Sequence, residues 1–192
     1  MIIFDLDDFL YEHTHLDELD SLHTLTDCKV TLFTIMQPCN PEHAYCSKSQ
    51  YVPTLDQTAC YLAYLKKTRP WMEFAVHGYT HTYLECQYWS YEDAERVLRI
   101  AEEMGCFVKG FKAPYWETSM GLYQALRERG WWIADHPRNE EKRPLDLPVY
   151  KMAPGVSVHG HVHDIGSNGL REARAVYEKM RGPFAFISEV MA

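Results

Sequence analysis

The sequence predicts an α/β chain folded as a distorted, incomplete (β/α) barrel of roughly seven parallel strands. Three observations predict it. Short β-branched or aromatic runs alternate with amphipathic stretches along the chain, which implies parallel strands joined by right-handed crossovers. Most of the strand runs end in a polar cluster, and in a barrel those ends share one rim, where active sites are built. The 192 residues also fall short of the ~250 typical of the full eightfold barrel. With 46% hydrophobic and 14% aromatic residues, the chain can bury a full core and is expected to form one domain over 1–192.

Taken in order, residues 1–6 read as a buried strand that runs into Asp5-Leu6-Asp7-Asp8, three carboxylates within four residues. A Leu-rich, acidic helix follows at 15–25, and the β-branched KVTLFTI at 29–35 is the second strand. Residues 36–53 carry Pro38, Pro41 and Pro53 and no clear period, so a long loop is expected, of the kind that often forms a lid or binding surface. A helix over 54–67 turns Leu55, Ala59, Leu62 and Leu65 inward, and Pro70 separates it from a strand at 71–76. The clearest helix is 91–104, with Ser90 as N-cap, Asp93 at the capping-box position and Gly105 as C-cap. A strand at 106–111 delivers Lys112-Ala113-Pro114-Tyr115-Trp116 into a loop. Residues 119–129 form a helix stopped by Gly130, and the strand 131–134 ends at Asp135-His136. After a charged, proline-bearing loop at 137–148 come short strands at 149–152 and 155–158, the latter ending in His159-Gly160-His161-Val162-His163-Asp164. A helix at 169–180, capped by Gly182, and a strand at 184–190 close the chain.

Composition excludes several classes. Net charge is −8 with the 10 histidines neutral, and the basic residues form no stripe, which argues against nucleic acid or another polyanion. No apolar run approaches the ~20 residues of a membrane span, and no basic leader precedes the first strand, so a cytosolic location is expected. Six cysteines without a CxxC pair read as free, mostly buried thiols in a reducing compartment; Cys39 and Cys46 share a loop with His43, where a small extra metal site is the lesser alternative.

The chemistry centres on His77 and His81. Four residues apart, they return to one face of a helical turn and can converge on one divalent cation, although two core or solvated histidines would share that spacing. A third ligand would come from the carboxylates of the first strand. Imidazole and carboxylate together suit zinc or a similar metal, and three protein ligands leave a position open for water. Asp7 and Asp8, His77 and His81, residues 112–115, Asp135 and His136, and His159 and His161 all fall just past predicted strand ends, which favours a shared site.

On these motifs the chain resembles the polysaccharide deacetylase family, carbohydrate esterases built on the domain shared with nodulation chitooligosaccharide deacetylases. The resemblance spans almost the whole chain through short motifs. It implies that Asp7 is the general base and Asp8 a metal ligand, with His77 and His81 completing the ligand set. Lys112-Ala113-Pro114-Tyr115 resembles the motif that flanks the groove, holds the base and offers the Tyr115 amide to the oxyanion. Val158-His159 is similar to the motif ending in the general acid, with His161 and His163 as competitors, and Asp135 is the candidate for the aspartate that steadies that acid. Trp116, Trp131 or Trp132 could wall an acetyl pocket, and His161 could join them in binding substrate. The implied reaction is removal of an acetyl group from an N-acetylated sugar or related small amide. The metal, expected to be zinc, would acidify a bound water and polarise the carbonyl. Lys112 departs from the family's usual arginine, Gly78 from its hydroxyl residue, and Phe9 from its glycine.

Other readings remain open on sequence. The first strand also looks like the opening of a haloacid-dehalogenase phosphatase, with Asp5 as nucleophile, Asp7 as acid/base and magnesium as cofactor. His13 and His15, or His159 and His161, could form the HxH pair of an amidohydrolase-like metal site, although the first two are expected in an exposed loop. The Lys112 substitution motivates a deacetylase-like domain that binds carbohydrate without turnover.

Overall fold

The computed structural model describes residues 1–13, 15–38, 52–152, 156–164 and 183–192. The expected loop at 36–53 falls mostly outside these, as do the Cys39, His43 and Cys46 group, the helix at 169–180 with Gly182, and the start of the strand at 155–158.

Eight strands and six helices are described: β1 (Ile2–Phe9), α1 (Leu16–Thr26), β2 (Val30–Thr34), α2 (Leu55–Thr68), β3 (Met72–Val76), α3 (Tyr91–Met104), β4 (Gly110–Lys112), α4 (Met120–Glu128), β5 (Trp132–Ala134), β6 (Val149–Tyr150), β7 (Ser157–His161), the single turn α5 (Val162–Asp164), β8 (Phe184–Ala185) and α6 (Ile187–Met191). Every strand pairing is parallel. The sheet runs β6-β5-β4-β3-β2-β1-β7, with β8 added at the start of β1. That is the circular order of a barrel interrupted between β6 and β7, the incomplete barrel the sequence predicts. Among the described residues, no helix is long and apolar enough to cross a membrane.

Both faces of β1 to β5 are buried. Phe4, Leu6, Val30, Leu32, Met72 and Phe74 pack outward against α1 and α2, and Val76, Phe111 and Ile133 pack against α3 and α4. The alternate residues Ile3, Phe33, Ala75, Trp132, Ala134 and Tyr150 form the inner floor of the barrel. On β1 the same alternation places Asp5 and Asp7 inward, above Ile3.

Several boundaries differ from expectation. Strand β1 continues through Asp7 and Asp8 to Phe9, so the aspartates lie in the strand at a register shift, with Asp8 at φ 65°. Lys112 and His159 likewise belong to strands rather than to the loops after them. The expected strand at 184–190 is a two-residue strand followed by α6. His13 is fully buried, stacked on Phe9 with ring centroids 5.2 Å apart, not part of an exposed loop.

Candidate metal and catalytic site

The histidine pair converges through a tight loop, not a helical turn. His77 follows β3, and its backbone N–H continues the ladder to Thr34 O (2.8 Å). Gly78 (φ 69°) and His81 (φ 59°) then turn the chain back. The Glu85 carboxylate holds that turn, accepting from the Tyr79 N–H (2.7 Å), the Thr80 N–H (3.0 Å) and the Thr80 hydroxyl (2.5 Å). Gly78 is required twice over: its φ favours glycine, and a Cβ there would stand 2.0 Å from Glu85 Oε1 and 2.7 Å from Pro114 Cγ.

His77 Nδ1–H donates to the Lys112 carbonyl (2.9 Å), so its Nε2 lone pair faces the site. His77 Nε2 and His81 Nε2 approach the same oxygen, Asp8 Oδ1, at 3.4 Å and 3.1 Å. Neither is aligned to donate, and this buried oxygen has no hydrogen-bond partner among the described residues. Asp8, His77 and His81 thus bring one ligand atom each within 4.8 Å of one another, with a buried carboxylate oxygen left over for a cation. The electrostatics agree. Burial alone would raise the Asp8 pKa, yet the two imidazoles outweigh it and hold the carboxyl far below the usual range. Burial would lower His77, yet the charges of Asp7 and Asp8 raise it, so the pocket's field favours positive charge.

A second cluster lies beside the first. Lys112, 1% exposed, donates from Nζ to Asp7 Oδ1 (2.7 Å) and stands 3.7 Å from Asp5 Oδ2. Its ammonium lies over the rings of Trp116 (4.3 Å) and Phe33 (4.9 Å). Burial would raise Asp7, but His77, Lys112 and His159 together hold its pKa below the normal value, so it stays ionised. His159 Nδ1 is 2.7 Å from Asp5 Oδ2, and its Nε2 is 3.7 Å from Asp7 Oδ2.

The predicted site residues therefore largely meet. Asp7, Asp8, His77, His81, Lys112 and His159 form one connected group, and Trp116 lines it, edge-on to His159 at 6.2 Å. Tyr115 is half exposed, in a left-handed conformation (φ 57°), with its ring 5.4 Å from His81 and 5.3 Å from Tyr83. His161 and His163 extend the row beyond His159, and His163 Nδ1 comes within 3.6 Å of Asp8 Oδ2.

Three residues are placed elsewhere. Asp135 does not reach His159: its oxygens accept from the Tyr123 hydroxyl (2.8 Å), Asn139 Nδ2 (2.7 Å) and the His136 N–H (2.8 Å), with Arg143 Nε at 3.5 Å. It braces the loop after β5. Trp132 is barrel floor, 6% exposed and packed edge-on to Phe33 over Gly110, so it has no face for substrate. Trp131 is buried as well, its Nε1 donating to Glu102. Sequence reading missed Asp5 as the partner of His159, and Glu85. The first had a signal: Asp-x-Asp and His-x-His each present two polar side chains on one strand face. The order of the described strands has no reversal to make a doubly wound switch point, which is where a phosphatase using Asp5 as nucleophile would place it.

No protein-family model matches the sequence, and no curated protein is significantly similar to it. Solved structures, however, define the class of fold. A family 4 carbohydrate esterase (CE4) pseudoenzyme from Bacillus anthracis superposes with a TM-score of 0.64 at 12% identity, covering 100% of this chain, which spans 65% of that one. The chitin deacetylase of the fungal pathogen Colletotrichum lindemuthianum gives 0.61 at 15% identity over 98% of this chain and 85% of its own. A family 4 acetyl xylan esterase from Clostridium thermocellum, in complex with cobalt, gives 0.59 at 12% identity over 98% and 89%. The chain has the α/β-barrel fold of these family 4 carbohydrate esterases.

Proposed function

We propose that this chain is a divergent polysaccharide-deacetylase-type hydrolase, dependent on a divalent metal, that removes an acetyl group from an N-acetylated sugar or related small amide. The observation that carries this reading is Asp8 Oδ1, buried, without a hydrogen bond, and flanked by the Nε2 atoms of His77 and His81. Those three residues would hold the cation, which we take to be zinc or a similar metal; a cobalt ion in the acetyl xylan esterase supports a divalent metal in this fold. Such an ion supplies Lewis-acid chemistry, acidifying a water and polarising the acyl carbonyl.

The chain's own residues do the rest. Lys112 occupies Asp7 Oδ1, leaving Oδ2 as the basic oxygen that takes the proton of the attacking water. His159 Nε2 delivers a proton to the departing amine as the C–N bond breaks. Trp116 lies against Lys112 and His159, and Tyr115 packs edge-on to Tyr83, aromatic surfaces suited to a sugar ring. Cys28, Cys60, Cys86 and Cys106 are free thiols, which suits a cytosolic enzyme meeting sugar precursors or oligosaccharides.

A second reading, metal and carbohydrate binding without turnover, is favoured by one observation. Lys112 gives Asp7 a single hydrogen bond where an arginine fork would give two, and the fold includes a pseudoenzyme. Plasma mass spectrometry of the purified protein, paired with acetate release from chitopentaose, separates the two. Near-stoichiometric metal, lost in Asp8→Ala and His77→Ala together with activity but kept in an inactive Asp7→Asn, supports the hydrolase. Bound metal with no acetate from any N-acetyl sugar supports the binding module, and a metal-loaded, active Asp8→Ala, His77→Ala double variant would sink the site.

A further inference from the structure

The candidate that the resemblance offers for the aspartate steadying the general acid is Asp135, but that carboxylate accepts hydrogen bonds from Tyr123, Asn139 and His136. We infer that in this chain the role has passed to Asp5, on the neighbouring strand, making Asp5 the positioning residue that fixes the tautomer and direction of His159. The inference rests on the hydrolase reading for its catalytic meaning, though not for its geometry.

The sheet itself builds the pair. Strands β1 and β7 are adjacent and parallel, and their register sets Asp5 opposite His159 and Asp7 opposite His161. Side chains opposite one another on neighbouring strands point to the same face, here the barrel interior. Asp5 Oδ2 and His159 Nδ1 are therefore 2.7 Å apart without help from any loop. A carboxylate only accepts, so the imidazole must present Nδ1–H to it. The opposite nitrogen, Nε2, then stands 3.7 Å from Asp7 Oδ2, with the Trp116 ring edge-on to the imidazole. Asp5 is 1% exposed and its Oδ1 has no hydrogen-bond partner among the described residues, so its one strong hydrogen bond is the one to His159.

Charge complementarity adds a reason for an aspartate at this place. Asp5 and Asp7 are two buried carboxylates, and Lys112 stands between them, 2.7 Å from Asp7 and 3.7 Å from Asp5. The His159 ring lies between the same two carboxylates, with Nδ1 2.7 Å from Asp5 and Nε2 3.7 Å from Asp7, and Lys112 Nζ is 3.4 Å from its Nδ1. In the reaction its Nε2–H proton goes to the departing nitrogen, whose new lone pair is the electron pair of the broken C–N bond, and the neutral ring keeps Nδ1–H on Asp5. Without Asp5 the neighbour left to Nδ1 is Lys112 Nζ at 3.4 Å, a donor, so nothing would keep the proton on that nitrogen.

Long-range proton–nitrogen NMR of the zinc-loaded full chain, labelled at histidine and assigned with His159→Gln, tests this directly. A hydrogen-bonded Nδ1 proton on His159 is expected in the wild type, lost in Asp5→Ala and retained in Asp135→Asn. The corresponding His77 signal, from its bond to the Lys112 carbonyl, should persist and report an intact fold. With chitopentaose, Asp5→Ala should lower kcat by about 100-fold while KM and metal content hold, and Asp5→Asn, whose amide oxygen can still accept, should restore part of the loss. A His159 signal that survives in Asp5→Ala, disappears in Asp135→Asn, or a kcat unchanged without Asp5 overturns the inference. If the wild type releases no acetate, the hydrolase reading fails instead, and the NMR result alone decides what Asp5 holds.

Discussion

Lys112 is where the two halves of the site meet. Its carbonyl orients His77, its ammonium holds Asp7, and two aromatic rings enclose it. The enclosure accounts for a lysine here: a compact ammonium fits between two carboxylates and two rings, where a planar guanidinium needs a wider slot. Removing the charge would leave Asp5 and Asp7 buried without their cation. Lys112→Met should therefore cost about 3–5 kcal/mol in urea unfolding, and a loss below ~1 kcal/mol would mean the carboxylates find another partner. Most of this group was legible in the sequence because polar residues at the ends of apolar strands have few places to go in a barrel except the rim. What strand ends cannot reveal is the face. Trp132 alternates with Trp131 and turns inward to become floor, while Asp135 finds three donors of its own before it can reach His159. Asp5 escaped because its partner is 154 residues away and only the pairing of β1 with β7 brings them together.

Elements whose ends are specified locally were the legible ones. Helix α3 begins and ends where the sequence sets it, since Ser90 and Asp93 cap each other's backbone and Gly105 adopts the left-handed C-cap. Ser90→Ala should accordingly lower stability by about 1 kcal/mol, measurable as a shift in thermal midpoint. Elements whose ends depend on distant partners were not legible. The apolar run at 184–190 has the composition of a strand, but only Phe184–Ala185 pairs with β1. The chain then turns helical because Thr31 and Glu73 accept the Ile187 and Ser188 N–H groups, an N-terminal cap supplied from β2 and β3. The loop from His77 to Tyr88 shows the same dependence with a functional consequence. Glu85 is outside the candidate ligand set, yet it anchors the turn between His77 and His81. Glu85→Ala should weaken metal binding by about 10–100-fold in a chelator competition while leaving Asp8, His77 and His81 in place; unchanged affinity would show that the glycine turn alone orients the pair.

Among the described residues no strand ladder joins β6 to β7, and side chains bridge the two, Tyr150 OH lying 2.9 Å from Ser157 Oγ. Ile3 of β1, Tyr150 of β6 and Ile187 of α6 belong to one buried cluster, so the C-terminal helix packs under the floor and ties β6 to β1. The anchor of that helix is Glu73, 6% exposed, which accepts hydrogen bonds from the hydroxyls of Thr31 and Ser188 and from the Ser188 N–H. Burial pushes its pKa above the ordinary 4.5, outweighing those donors. The sign of the linkage follows. Below pH 4.5 the carboxyl is protonated in both folded and unfolded chains and contributes no pH dependence. As pH rises past that value the unfolded chain releases its proton first, so stability falls until the folded-state pKa is passed and is level beyond it. Glu73→Gln keeps the shape and a hydrogen-bonding amide but cannot ionise, so it removes this loss. In thermal melts across a pH series, the midpoint of Glu73→Gln minus that of the wild type should increase from pH 4.5 toward neutrality and then level off. All other titrating groups are common to both proteins and cancel in that difference. A difference that does not change with pH would mean that Glu73 is as ionised in the folded barrel as in the unfolded chain, and that the C-terminal helix is held by an ion after all.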